Sequence, residues 1–141
     1  MGSFSLLLNP LKQCELVTSY LLDKLNIRHT KTYLQNELLE HPNYPSLISI
    51  ADVLGVTYNI STVPLKISFS QLLNGIDEIK PPFVAHVKHE KGGSFFSIVT
   101  DFTRNSIKLY NPLLKNEDVW ELKLVEERFQ ETILLVEKDC D

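Results

Sequence analysis

The chain is expected to fold as an α+β domain, with N-terminal helices laid on a mostly antiparallel sheet, and three features predict this. Apolar residues recur at helical spacing up to Gly55; β-branched and alternating runs take over after it; and Arg104-Asn105 marks a tight hairpin between two of those runs. Helices first and strands afterwards is the order of α+β domains, in which helices cover one face of an antiparallel sheet. At 141 residues the chain suits one domain spanning 1–141.

Asn9-Pro10 is an N-cap followed by proline at the first helical position, where the missing N–H costs nothing. From there Leu11, Cys14, Val17, Leu21, Leu22 and Leu25 form one apolar stripe, opposite Lys12, Glu15, Tyr20, Asp23 and Lys24. A second helix is predicted over 32–40, with Leu34 and Leu38 inward and His41-Pro42 ending it. Ser46 caps a third helix carrying Leu47, Ile50, Val53 and Leu54, closed by Gly55 in a left-handed C′ position. A strand over 56–63 ends at Pro64, and a short helix follows over 68–74. Four further strands are predicted over 83–88, 95–101, 106–110 and 132–137. In the first of these, Phe83, Ala85 and Val87 alternate with Val84, His86 and Lys88, making one face the more apolar.

Composition excludes several functions. A net charge of -4 with no clustered Lys/Arg face argues against nucleic-acid binding, which needs a positive footprint. Two cysteines, Cys14 and Cys140, are too few for a disulfide scaffold, and they pair only if the C-terminal tail folds back over the first helix. No apolar run reaches the roughly 18 residues of a membrane span. No metal site is expected, because His86 and His89 lie three apart on an extended segment, point to opposite faces and lack a third ligand. No cofactor is implied. His29 and His41, at a loop and a helix end, suit capping.

Pro81-Pro82-Phe83-Val84-Ala85-His86-Val87, then Gly92-Gly93-Ser94-Phe95-Phe96-Ser97-Ile98-Val99-Thr100, then Leu109-Tyr110-Asn111-Pro112, taken with the early Cys14, resemble the bacteriocin-processing cysteine peptidase domains. Those domains belong to peptidase-containing ABC transporters that cut leader peptides after a double glycine. The segment 41–54, His-Pro-Asn-Tyr-Pro-Ser-Leu-Ile-Ser-Ile-Ala-Asp-Val-Leu, is similar to a subgroup that precedes a vitamin K epoxide reductase-like membrane domain in some bacteria. Residues 120–137 resemble the family's closing strand. The resemblance implies a papain-like cysteine peptidase fold and a soluble domain attached to the bacterial inner membrane through a larger chain.

A cysteine peptidase needs a thiolate, a histidine base, a group orienting that histidine and an oxyanion donor. Carried over from the resemblance, the nucleophile falls on Cys14, the aspartate position on Asn111, and the histidine position on Phe95, with Ser94 one residue away. The oxyanion glutamine falls on Leu8, while Gln13 stands in the wrong place. Phenylalanine cannot act as a base, nor leucine as a donor. The resemblance therefore implies an inactive homologue that binds an extended peptide or a partner segment, including membrane-embedded domains of the same polypeptide. Phe96, Tyr110 and Trp120, with Phe95, are candidate walls of its groove. The alternative is an active papain-like peptidase cleaving after double glycine, with Cys14 as nucleophile and His86 or His89 as base. Cys14 on the apolar stripe equally suits an inert buried thiol.

Overall fold

The computed structural model describes residues 10–44, 46–88, 94–112 and 115–137. Helix α1 (Pro10–Lys24) buries Cys14, Val17, Leu21 and Leu22. Glu15, expected on the solvent side, is also buried. The helix stops at Asn26, whose φ of 58° lies in the left-handed region, and the Ile27 N–H returns to the Leu22 carbonyl at 2.8 Å. Asparagine tolerates this conformation, so it closes the helix where glycine usually does.

Helix α2 (Lys31–Glu40) starts under Thr30, whose hydroxyl accepts from the Tyr33 N–H, and it buries Leu34 and Leu38. Helix α3 (Leu47–Asp52) opens with a reciprocal capping box between Ser46 and Ser49. Beyond it the chain departs from the expected left-handed stop at Gly55. The helix widens into a π-helical turn (Val53–Thr57), and the left-handed residue is Asn59, with φ 58°. The Ile60 N–H then bonds the Leu54 carbonyl at 2.8 Å.

Strand β1 (Thr62–Lys66) is therefore shorter and later than the expected 56–63, and Pro64 lies inside it. The sheet tolerates that proline because β1 is an edge strand, paired among the described residues with β6 (Phe129–Val136) alone. Helix α4 (Phe69–Asn74) carries a second capping box, Ser68 with Gln71. Strands β2 (Phe83–Lys88), β3 (Ser94–Phe102) and β4 (Ser106–Asn111) fall within one residue of expectation at each end. Strand β5 (Asn116–Glu121) and helix α5 (Leu122–Arg128) were not expected, and β6 (Phe129–Val136) begins earlier than 132. The six strands run in the order β1-β6-β2-β3-β4-β5, with every pair antiparallel.

Helices cover both faces of the sheet rather than one. Against the first face, α1, α2 and α3 bury Leu21, Leu38 and Ile50 together with Val84, Ile98 and Leu134. The second face is roofed by the short helices α4 and α5, whose Leu72 and Val125 pack with Phe83, Val99 and Ile133. A one-residue irregularity between Val99 and Asp101, opposite Leu109 and Lys108, resets the in-out alternation of β3.

Candidate functional site

Cys14 sits in the second turn of α1 with its side chain fully buried. Its thiol donates to the Ser46 carbonyl at 3.9 Å, beneath the connection between α2 and α3. Burial pushes the thiol up to about 11, against a smaller downward pull from the Ser46 backbone and the Ser49 hydroxyl. At pH 7 that leaves the thiol almost wholly protonated. Tyr44, from the same connection, is raised to about 12 by burial and then by the neighbouring Cys14 and Glu15. Among the described residues, the groups that set the Cys14 thiol are thus carbonyl, hydroxyl and apolar contacts, with no imidazole among them.

Strand alternation decides which other candidates share this side. Val84 and Ile98 pack with Cys14, so His86 and Phe96, two residues along each strand and directly opposite one another, share the α1-facing side. The two rings lie 5.1 Å apart, and the His86 Nε2 is 2.9 Å from the Ser94 hydroxyl. Burial lowers the His86 pKa from its ordinary value. Tyr110 also faces this side, stacked on Tyr20 of α1 with centroids 4.5 Å apart, and Lys24 lies 5.4 Å above the Tyr20 ring.

Phe95 and Asn111 do not face α1 as the catalytic carry-over requires. Phe95 belongs to the opposite core with Leu109, Trp120 and Val125. Together with Asn111 it lines a cavity of about 480 Å³ on that far face. On this stretch of β3 it is Phe96, one residue on, that packs against the α1 side. The six candidates therefore divide in two: Cys14, Phe96 and Tyr110 on the α1 side, and Phe95, Asn111 and Trp120 on the far side. Arg128 of α5 lies 5.2 Å over the Trp120 ring. Leu8 and His89 are outside the described residues, as is Cys140.

The remaining histidines hold structure. The Asn43 N–H donates to the His41 Nδ1 at 3.0 Å, so Nε2 donates to Asp52 at 2.7 Å and ties the end of α2 to α3. His29 bridges the Ile27 carbonyl, 3.1 Å from Nδ1, and the Ser19 hydroxyl, 2.8 Å from Nε2. Among the described residues, no group of three His, Cys, Asp or Glu is placed to hold a metal ion, and no helix is long and apolar enough to cross a membrane.

No family model matches this chain, and no curated protein does. Solved structures do match. The crystal structure of the peptidase domain of Streptococcus ComA, a bifunctional ABC transporter of a quorum-sensing pathway, superposes with a TM-score of 0.72 at 12% identity, covering 90% of this chain and 92% of that one. The same domain from Streptococcus mutans, bound to a small-molecule inhibitor, gives 0.58 at 12% identity over 70% and 79% of the two chains. A periplasmic domain of the Vibrio vulnificus EpsAB fusion protein, from a type II secretion system, gives 0.53 at 8% identity over 91% of this chain and 46% of that one. The chain thus has the α+β, papain-like fold of the ComA peptidase domain.

Proposed function

We propose that this is a non-catalytic peptidase-like domain that binds an extended peptide or a partner segment. It serves as an accessory to a membrane transporter or a thiol-oxidising membrane protein, attached to the bacterial inner membrane through a larger chain. The observation that carries this reading is the state of Cys14. Its thiol is buried, is held near 11, and takes its environment from Ser46 and Ser49 rather than from a base. Nucleophilic catalysis by cysteine needs a thiolate or an adjacent base to make one, and the resemblance puts its histidine position on Phe95, with Ser94 one residue away, neither of which can act as a base. The likeness to the ComA peptidase domain supplies a scaffold suited to peptides, and Trp120 with Phe95 supplies aromatic contact area on its far face, which Phe96 and Tyr110 do not share.

One observation favours an active peptidase instead: His86 lies on the same side of the sheet as Cys14. Thiol reactivity separates the two readings. Iodoacetamide at pH 7 is expected to modify Cys14 in the folded protein at least tenfold more slowly than free cysteine, with Cys14→Ala identifying the labelled site. Labelling faster than free cysteine, slowed by His86→Ala, supports the active enzyme and overturns the non-catalytic reading.

A further inference from the structure

We propose that the peptide site lies on the far face of the sheet, where an uncharged extended segment adds as a strand beside β5 and sets alternate side chains into the cavity under α5. This rests on the peptide-binding reading above and specifies where and how the peptide is held. In the sheet order β5 is terminal, paired on one side with β4 and on the other with no strand among the described residues. Its alternate residues Asn116, Asp118 and Trp120 line the 480 Å³ cavity, a volume within the usual range of ligand pockets. A strand laid beside β5 therefore presents every second side chain to that cavity. Val119, between Asp118 and Trp120, also borders the cavity and is 65% exposed, so it adds apolar contact for the incoming strand at the rim.

The chemistry of the lining selects the occupant. Asn111 and Asn116 stand directly opposite each other in the β4–β5 register, both lining the cavity. Each carboxamide carries donors and an acceptor, matching the donors and acceptors of a peptide unit. Phe95, Leu109 and Trp120 give an apolar floor. Asp118 and Arg128 bring one charge of each sign, so the lining has no net preference for an anion or a cation. Glu117, the next acid on the edge, is paired with Lys108 at 3.3 Å.

Trp120 is the only tryptophan of the chain, so its emission reports occupancy directly. An N-acetylated, C-amidated heptapeptide of alternating valine and serine, titrated into the 141-residue chain, is expected to shift Trp120 emission saturably and to release or absorb heat with the same midpoint. Asn116→Ala, an exposed substitution that leaves the core intact, is expected to weaken binding at least fivefold. The same peptide N-methylated at alternate residues is expected to lose at least tenfold. Calorimetric binding with Trp120 emission unchanged overturns the far-face site while leaving peptide binding standing. Undiminished affinity of the N-methylated peptide overturns strand addition, as does elution of the free protein as a dimer that the peptide fails to dissociate. Absence of binding in both calorimetry and fluorescence overturns this inference and the peptide-binding reading together.

Discussion

Cys14 shows how one side chain in a helix stripe carries two messages. Its place beside Val17 and Leu21 is that of a core residue, and its place on the first helix is that of a nucleophile. Burial resolves the conflict, because removing water raises the cost of the thiolate and leaves a neutral thiol across the physiological range. That shift also predicts a pH dependence. The folded-state value of about 11 lies above the ordinary 9, so the folded protein holds its proton more tightly than the unfolded chain. The associated stability is fully present below pH 9 and is lost as pH rises through 11, up to about 2 to 3 kcal/mol. Tyr44 shifts in the same direction and adds to the loss at higher pH. Urea unfolding between pH 8 and 11 is expected to show Cys14→Ala losing stability less steeply than the native chain. Parallel curves would place the thiol in water.

At the scale of elements, the starts of α1 and α3 and the strands β2 to β4 were legible in the chain. A stripe at helical spacing in α1 and the Ser46 cap of α3 are local signals, and local signals survive packing. Leu21 lies fully buried in that stripe, so Leu21→Ala is expected to cost about 2 to 5 kcal/mol. Lys24→Ala gives up only a solvent-exposed cation over Tyr20 and is expected to cost below about 1 kcal/mol. Equal losses in thermal unfolding would put the helix face elsewhere. The helix stops were less legible, because Asn26 and Asn59 do the work expected of glycine. Replacing Asn26 with alanine forces a branchless but still chiral residue into the left-handed region and is expected to cost about 1 to 2 kcal/mol. Strand β5 escaped notice because Asn116, Glu117 and Asp118 give an edge strand no apolar alternation until Trp120.

For the whole molecule, what the chain could not display locally is which side of the sheet each strand residue takes. That depends on register and on irregularities such as the one between Val99 and Asp101, which are products of pairing rather than of composition. Phe95 and Phe96 are chemically alike in the sequence, yet they belong to different cores. The same ambiguity concealed the far-face cavity, whose lining comes from three strands and a helix. The fold is thus that of the ComA peptidase domain, with a buried thiol on the first helix. Turnover tests the central claim most directly. The protein is incubated with a double-glycine leader peptide at pH 7 and the products are followed by mass spectrometry. The leader is expected to remain intact over a day at equimolar protein; cleavage after the double glycine that Cys14→Ala abolishes would contradict the non-catalytic assignment.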